Sequence, residues 1–305
     1  MDLSLIRDQL TVSSGQKCHA CQELVSDCKY SIFYDNKSSR IYKCPNCGMM
    51  FTYPTLIDLL SERQMDSIED AELFGSSMLR KLHENLILSK EVKEIKKLLG
   101  GIETPKLLDV GCGTGWATNF WQENGFSVAG LEPSAARGKV AAERYGIKVY
   151  PVYIEDFPDS TKHDVLIFRH IIEHLDDPAT IITKAKKLLN KDGLVVVVVP
   201  NIDCIGRYLF GVDWEWVLPW HCNFFNKHSL ETLLEESGFE IIKTYQTVSP
   251  FYYFESLARR FDSKLLKAMN RRFKVASMLA TSPVAMLGMA LGLGDNLTTL
   301  ARFKE

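Results

Sequence analysis

A glycine-rich turn near the middle of the chain constrains its fold more than any other feature. Residues 106–120 read KLLDVGCGTGWATNF, with glycines at 111, 113 and 115 between an apolar run and a helix-like run. Glycine lets a chain turn from a strand end into a helix start, with backbone N–H groups close to a ligand. The dinucleotide fingerprint G-x-G-x-x-G needs a third glycine at 116, where this chain has Trp116. The turn predicts a ligand site of another spacing, and a tight turn without a ligand is the alternative.

Strand-like and helix-like runs alternate from residue 105 to about residue 250. KLLDV, FSVAGLE, IKVYP, DVLIFR and GLVVVVVP read as five strands. The last contains a continuous β-branched run at 195–199, as expected for a parallel strand buried on both faces. FEIIKTYQTV and NLTTLARF read as a sixth and a seventh strand, separated by an insertion at 251–294. This order predicts a doubly wound α/β fold.

Acidic residues stand at the ends of three successive predicted strands. Asp109 precedes the glycine turn, Glu132 ends the second strand, and Asp156 follows the third. A carboxylate at the second strand end can accept both hydroxyls of a ribose. Asp156 offers an acceptor for an exocyclic amine, beside the apolar ring of Phe157. A single acid is ordinarily a solvated surface charge, but three in register indicate a nucleoside site.

Because of these residues and their spacing, the segment from 105 to about 250 resembles class I S-adenosylmethionine-dependent methyltransferases. LDVGCGTG matches the first motif of that family, and GLEPS, EDFP and DVLIFRHIIEHLDDP match later ones. The resemblance implies an α/β, Rossmann-like sheet of seven strands, parallel with an antiparallel last strand. It also implies S-adenosylmethionine, rather than NAD, as the cofactor.

The resemblance further implies how the cofactor is held. The three glycines would approach its amino-acid end, Glu132 would hold its ribose, and Asp156 would meet its adenine amine. The residues expected around the cofactor are Asp109, Gly111, Cys112, Gly113, Gly115, Trp116, Glu132, Pro133, Asp156, Phe157, Arg169 and His170.

A histidine-rich segment, RHIIEHLDDP, follows the fourth strand. It matches the inverted zinc-peptidase motif H-x-x-E-H, which needs a helix that presents both histidines to one metal and a further carboxylate ligand. Here the histidines instead follow the end of a strand, so we interpret the match as accidental. Within the methyltransferase interpretation, His174 is the candidate general base, oriented by Glu173 or Asp176, because an imidazole titrates near neutral pH. The alternative is that Glu173 and His174 are structural. His170 is expected to line the methionine end of the cofactor.

A second aromatic segment, GVDWEWVLPWHCNFFNKHSL, follows the fifth strand. We expect His221 to belong to the catalytic side and, with Trp220 and Phe224, to form a wall or lid over the substrate. The alternative is that Trp214, Trp216 and Phe225 are core residues of a long loop. Closely spaced tryptophans indicate a flat acceptor surface of the kind that sugars and planar rings use.

Four cysteines form two C-x-x-C pairs near the N-terminus: Cys18, Cys21, Cys44 and Cys47. Two such pairs separated by 22 residues predict a zinc ribbon, in which four thiolates close a structural Zn²⁺ site. A ribbon ahead of this domain resembles two groups: enzymes that methylate sugars, glycans or natural products, and ribosomal RNA methyltransferases. CPNCGMMFTYP and EHLDDP resemble the first group more, and the ribbon is only mildly basic.

The insertion combines a basic, amphipathic segment at 257–274 with twenty uncharged residues at 275–294. That length reaches the threshold for a membrane span. A span would leave the seventh strand on the wrong side, so a helical lid is the favoured interpretation. The alternative is a membrane-surface hairpin whose basic residues face anionic headgroups. Those residues are Arg259, Arg260, Lys264, Arg271 and Arg272.

The sequence as a whole predicts an S-adenosylmethionine-dependent methyltransferase acting on a hydroxyl, less readily a carbon or nitrogen, of a sugar, glycan, glycolipid or small metabolite. The alternatives are RNA methylation and a non-catalytic zinc-ribbon adaptor. A net charge of −2 gives no general attraction to nucleic acid, and MDLSLIRDQL lacks a secretory pattern, so a cytoplasmic protein, peripheral to a membrane if the hairpin forms, is expected. The predicted segments are a ribbon (1–54), a helical segment (55–103), the core (104–250), the insertion (251–294) and a last strand (295–305).

Overall fold

The computed structural model describes residues 4–6, 11–34, 37–55, 78–218 and 220–303. Within these residues the chain forms two β-sheets. The N-terminal sheet contains β1 (Ser4–Ile6), β2 (Thr11–Lys17), β3 (Leu24–Tyr34), β4 (Lys37–Lys43) and β5 (Met50–Tyr53). Part of the predicted helical segment, residues 56–77, lies outside the described ranges.

The central sheet has seven strands in the order β12-β13-β10-β9-β6-β7-β8 over the described ranges. Within this sheet β13 alone runs opposite to the other six strands. The predicted fold class, a mostly parallel seven-stranded sheet with an antiparallel last strand, is confirmed. The strands are β6 (Lys106–Val110), β7 (Ser127–Leu131), β8 (Lys148–Tyr150), β9 (His163–Arg169), β10 (Leu189–Pro200), β12 (Phe239–Thr247) and β13 (Asn296–Phe303).

Helices cover both faces of the central sheet, and β10 shows how. Val195, Val197 and Val199 belong to the core on one face, whereas Val196 and Val198 belong to the core on the other. The β-branched run is therefore buried on both sides, as predicted. The helices are α1 (Met78–Leu99), α2 (Trp116–Glu123), α3 (Ala135–Tyr145), α4 (Pro178–Leu188), α5 (Ile205–Phe210), α6 (Lys227–Glu236), α7 (Phe251–Arg260), α8 (Lys264–Arg272) and α9 (Lys274–Ala290).

The long helix α1 packs on the sheet through Leu88, Val92 and Ile95, which are buried. Leu86, by contrast, is 66% exposed. Nine positions separate Leu86 from Ile95, and nine steps of 100° place two side chains on opposite sides of a helix. Among the described side chains of α1, the buried stripe therefore begins at Leu88.

The strand order reverses between β6 and β9. β7 lies beside β6 and β8 lies beside β7, on one side of the sheet. The next strand in the chain, β9, lies on the other side of β6. Loops leaving the carboxyl ends of β6 and β9 diverge, and ligands of open α/β sheets bind in the crevice between such loops. The glycine turn follows β6, and the histidine-rich segment follows β9.

The two sheets are joined by a short strand, β11 (Asn223–Phe224), which pairs with β5 of the N-terminal sheet. The loop after β10 therefore adds a strand to the Cys-containing sheet. Asn223 also donates from Nδ2 to the carbonyl oxygens of Ile172 and Leu175, at 2.9 and 2.7 Å. Its Oδ1 lies 2.7 Å from Nδ1 of His19.

The insertion folds into α7, α8 and α9 and is anchored at its end by Asp295. This buried carboxyl accepts hydrogen bonds from the hydroxyl of Tyr253 at 2.6 Å and from the backbone N–H of Ser249 at 2.9 Å. Over the described ranges, no single helix meets the length and hydropathy needed to cross a membrane. The bent pair Lys264–Asn270 and Val275–Ala290, at 100°, meets them only when the two are taken together.

Candidate active site

The glycine turn after β6 requires glycine for two different reasons. At Gly111 the backbone has φ +74°, and a Cβ would lie 2.2 Å from Cδ1 of Ile171. At Gly113 φ is +55°, but a Cβ would have no atom within 4 Å. Gly111 thus permits the close packing of the loops after β6 and β9, whereas Gly113 borders open space where a ligand can approach.

The two acids at the start of this site are held in different ways. Asp109 accepts a hydrogen bond from Oγ1 of Thr118 at 2.6 Å, which ties the end of β6 to α2. Burial raises its pKa to about 6. Glu132 accepts hydrogen bonds from the backbone N–H groups of Gly113 and Ser134, both at 2.9 Å. The carboxylate of Glu132 is thereby fixed at the end of β7, where the sequence placed a ribose acceptor.

The other residues predicted around the cofactor fall into exposed and buried groups. Asp156 is exposed at the end of a 3-10 turn, and Trp116 is 38% exposed at the start of α2. Phe157 is buried and packs edge-on against Tyr150, with ring centroids 5.0 Å apart. Cys112 is buried over Gly130 of β7. Pro133 is half-buried.

Arg169, predicted to line the cofactor, forms an ion pair with Glu91 of α1. The Glu91 side chain is fully buried, and burial raises its pKa despite the nearby guanidinium. Oε1 of Glu91 and Nε of Arg169 have no hydrogen-bond partner. Glu91 is not among the residues predicted from the sequence, although its position between Leu88 and Ile95 on the apolar stripe of α1 is a signal of burial.

His170 occupies a strained position at the mouth of β9. Its φ is +54°, and its ring stacks on Trp216 with centroids 5.0 Å apart and planes 6° apart. Its Nδ1 lies 3.1 Å from Oε1 of Glu173. A positive φ outside glycine is uncommon and recurs at functional sites. Trp216, a core residue in the alternative interpretation, therefore contacts the predicted cofactor side.

Glu173, His174 and His221 form one cluster of side chains. The segment that contains His221 is distant in sequence, since its neighbour Trp220 lies 46 positions after His174. One ring nitrogen of each histidine and one carboxylate oxygen of Glu173 lie within 4.8 Å of one another. The two histidine rings meet edge to face at 4.7 Å. Oε2 of Glu173 is buried without a hydrogen-bond partner.

Backbone carbonyls orient both histidine rings of this cluster. Nδ1 of His174 lies 3.3 Å from the carbonyl oxygen of Trp220, and Nδ1 of His221 lies 2.9 Å from that of Trp216. Carbonyl oxygens only accept, so Nδ1 carries the proton in each neutral ring and Nε2 keeps its lone pair.

Burial keeps both rings neutral near pH 7. It lowers the pKa of His174, and together with the neighbouring His174 it lowers the pKa of His221 to about 3. For Glu173, burial acts to raise the pKa, but the hydrogen bond with His170 and the surrounding histidines outweigh it, and the pKa lies below its usual range. The cluster thus pairs two neutral imidazoles with an ionised, partly unsatisfied carboxylate.

The aromatic residues around the cluster divide between wall and core. Trp214 and Phe225 are buried in the core, as the alternative interpretation expected. Phe224 is buried in β11, with its ring 6.4 Å from that of His221. Trp220 is half-buried and contributes its carbonyl to His174. Trp216 stacks on His221 with ring centroids 6.0 Å apart, so Trp216 is the main part of the wall beside His221.

The four N-terminal cysteines lie together, with all Sγ atoms within 4.8 Å of one another. Cys18 and Cys47 are 3.6 Å apart, and Cys21 and Cys44 are 3.5 Å apart, both as free thiols. Zn–S bonds of about 2.3 Å require tetrahedral S···S edges of roughly 3.8 Å. The arrangement fits a four-thiolate zinc site.

A family model described as "Methyltransferase domain" matches residues 78–244, which are 167 of the 305 residues. The ubiquinone biosynthesis O-methyltransferase of Pelagibacter ubique is 32% identical over 153 residues, covering 48% of this chain and 62% of that protein. The protein of the same name from Rhodopseudomonas palustris is 28% identical over 129 residues, covering 41% and 51%. The chain thus spans little more than half the length of these relatives.

Solved structures agree on the fold. A possible histamine N-methyltransferase from Thermotoga maritima is 18% identical, with a TM-score of 0.52, covering 79% of this chain and 97% of that one. A SAM-dependent methyltransferase from Archaeoglobus fulgidus is 16% identical, with a TM-score of 0.50, covering 77% and 98%. At these identities the likeness establishes the fold alone.

Replacing Glu91 by alanine is expected to lower the free energy of unfolding by about 3–5 kcal/mol, because it leaves the mostly buried Arg169 guanidinium without its partner. Urea denaturation at pH 7 measures the change. Glu94→Ala is the matched control, since Glu94 pairs with Lys243 one turn away on a partly exposed surface and should cost less than about 1 kcal/mol. Equal losses in the two variants would contradict the assignment of Glu91 as a buried partner.

Proposed function

The chain belongs to the methyltransferase domain family, and from this premise we propose that it transfers the methyl group of S-adenosylmethionine to the oxygen of a hydroxyl-containing acceptor. The enzyme class predicted from sequence, an S-adenosylmethionine-dependent methyltransferase, is confirmed at the level of family and fold. Acceptor chemistry at oxygen is supported by the names of the curated relatives. A sugar or glycan acceptor stays a prediction from the sequence.

The cofactor site is proposed at the carboxyl ends of β6, β7 and β9. S-adenosylmethionine supplies a methyl group activated by a positively charged sulfur. Gly113 leaves open space for its approach, Glu132 offers a carboxylate already fixed by two N–H groups, and Asp156 is an exposed acceptor. These features fit the roles that the sequence predicted.

Proton removal from the acceptor is assigned to the cluster of Glu173, His174 and His221. His174 is the base that the sequence predicted, and its Nε2 is the nitrogen available to receive a proton. The arrangement that carries this assignment is the convergence of two neutral imidazoles with an ionised carboxylate beside the proposed cofactor site.

S-adenosylmethionine with a labelled methyl group, incubated with the protein and an extract of its own cells, tests the proposed function. We expect label in the organic or small-molecule fraction, and none with Glu132→Ala, which removes the proposed ribose acceptor. His174→Ala should retain S-adenosylmethionine binding, measured by calorimetry, and lose about 10²–10⁴-fold in rate. Label in RNA would favour the nucleic-acid alternative, and no label in any fraction would contradict methyl transfer.

The four N-terminal cysteines are proposed to bind a structural Zn²⁺. Support comes from the close approach of their sulfurs and from the C-x-x-C spacing. The same sheet contacts the acceptor side of the site, since the N–H of Thr52 donates to the carbonyl of Cys222 at 3.0 Å and β5 pairs with β11. Loss of this zinc should therefore disturb the cluster as well as the ribbon.

Zinc released as the thiols are titrated with an organomercurial is expected to reach about one ion per four thiols. Cys44→Ser should lose this zinc and lower the unfolding temperature, because metal binding contributes folding free energy in such modules. Cys204→Ser, outside the C-x-x-C pairs, is the control and should retain it. Thiol-linked zinc well below one per chain would contradict the ribbon.

The outer surface of α8 and α9 is proposed to lie on an anionic membrane. Leu265 and Met269 of α8 are 70% and 43% exposed on one side of that helix, and Leu279 and Met286 of α9 are 61% and 67% exposed on one side of theirs. Residues 264–294 contain five basic residues and no acidic one. A basic, amphipathic surface of this kind binds at the boundary of anionic lipids.

Two of the basic residues expected to face headgroups do not support this surface. Arg259 pairs with Glu215 at 2.7 Å and Arg260 with Asp213 at 3.0 Å, and these ion pairs hold α7 on the core. Lys264 and Arg272 are exposed, and the side chain of Arg271 lies outside the described part of the chain. A surface so placed would favour an acceptor that is itself lipid-linked or amphiphilic.

Flotation with vesicles of phosphatidylcholine alone, or mixed with phosphatidylglycerol, tests this surface. We expect the protein to float with the anionic vesicles only, and less at high salt, because headgroup attraction is screened. Leu265→Gln combined with Met269→Gln should reduce the bound fraction severalfold, whereas Leu86→Gln, an equally exposed leucine on α1, should not. Equal binding of all three proteins would contradict the proposal.

A further inference from the structure

We infer that Glu173, His174 and His221 form a binding site for a divalent first-row metal ion. Three observations support it: the closeness of three ligand-type atoms, a buried carboxylate oxygen without a hydrogen-bond partner, and the orientation of both imidazoles. The inference rests on the proposed function only for the use to which the ion is put.

The carboxylate gives the most direct indication. The side chain of Glu173 is 1% exposed, and Oε1 is engaged by His170, yet Oε2 has no donor within reach. Leaving a charged oxygen buried and unpaired is costly, and native structures rarely do so without a functional reason. Both histidines lie within 4.8 Å of this carboxylate, and neither supplies a hydrogen bond to Oε2. A cation between the three groups would satisfy it.

The histidines are arranged as metal ligands usually are. In metal sites a ligating imidazole donates its other N–H to a carbonyl or carboxylate, which fixes the tautomer and directs the lone pair at the ion. His174 and His221 both do so, through Trp220 and Trp216. His170 supplies the corresponding contact for Glu173. Each of the three candidate ligands thus has an orienting partner.

The donor set selects the class of ion. Two imidazoles and one carboxylate bind Zn²⁺, Mn²⁺ or Fe²⁺ and leave positions open for further ligands. Bonds of about 2.1 Å bring ligand atoms to roughly 3.3 Å from one another, so binding would draw the groups together by on the order of 1 Å. Rotation of the side chains supplies such a movement.

The open position gives the ion a use in the proposed reaction. A hydroxyl oxygen of the acceptor that coordinates the ion has a lowered pKa, and its proton passes to a water molecule. A lone pair of this oxygen then forms the new O–CH₃ bond while the S–CH₃ bond breaks. The electron pair of the broken S–CH₃ bond stays on the sulfur, and the cofactor leaves as a neutral thioether. In this arrangement Nε2 of His174 binds the ion and cannot also take the proton. The metal site therefore replaces the role of base that the proposed function assigns to His174.

Mn²⁺ is the suitable probe, because thiolate sites prefer softer ions and the cluster has nitrogen and oxygen donors. Electron paramagnetic resonance titration of the intact protein, prepared with only its thiol-bound zinc, is expected to show one bound Mn²⁺ per chain. Pulsed measurements on that ion should show coupling to two imidazole nitrogens. This second readout uses the unmodified protein, so it does not depend on whether a variant folds.

Glu173→Gln and His221→Gln should weaken Mn²⁺ binding at least tenfold, since loss of a mere orienting partner already costs 10–100-fold in other sites. His228→Gln, an exposed histidine on α6, is the matched control and should bind as the unmodified protein does. Absence of a bound ion, or an ion without nitrogen coupling, would overturn the inference.

Labelled-methyl transfer separates this inference from the proposed function. Transfer by a protein that binds no Mn²⁺ would overturn the metal site and leave methyl transfer, with His174 as base, in place. Binding of Mn²⁺ through two nitrogens without any transfer would support the metal site and contradict the proposed function.

Discussion

The side chain of Asn223 is the contact on which the acceptor half of the site depends. Its amide satisfies the carbonyls of Ile172 and Leu175 on either side of His174, and its oxygen meets His19 in the Cys-containing sheet. Without that amide two carbonyls would lose their donor in a buried region, at a cost of about 1–3 kcal/mol each. The cysteine module therefore supports the segment that positions the cluster, whatever else the module contacts.

Different kinds of contact position the residues in the two halves of the site. On the cofactor side, backbone groups at strand ends do most of the positioning: the glycine turn sets the approach, and two N–H groups hold Glu132. On the acceptor side, side chains from distant loops converge, and the ring of Trp216 stacks against the rings of both His170 and His221. A strand end is fixed by the sheet itself, whereas the loop assembly needs β11 and the neighbouring module to keep its shape.

This difference explains how far the sequence could predict the structure. The seven strands, their order and the glycine turn follow from local pattern and from a sheet topology that many sequences share. The cluster was only partly predicted, because His174 and His221 approach each other through tertiary contacts that no periodicity encodes. The partners of Glu91 and Asn223 were missed because they lie far away in the chain, at Arg169 and Ile172 respectively. For Glu91, the apolar stripe of α1 indicates burial but not the partner. The membrane-surface alternative placed the basic residues of α7 against headgroups, because their acidic partners lie in a distant loop that the local pattern does not reveal.

Both halves share an electrostatic character that connects these observations. Asp109 is buried, and the negative charges of Glu132 and Glu91 act to raise its pKa further, while Arg169 opposes them. On the other side, Glu173 is ionised and keeps one oxygen unsatisfied. Buried negative charge is costly unless something positive neutralises it. A sulfonium on the cofactor side and a divalent ion on the acceptor side would each supply that charge, and both would be most strongly held where water is excluded. The fold therefore leaves negative charge incompletely neutralised at the places where the proposed reaction needs cations. This unneutralised charge lowers the stability of the fold and strengthens the binding of cations at the site.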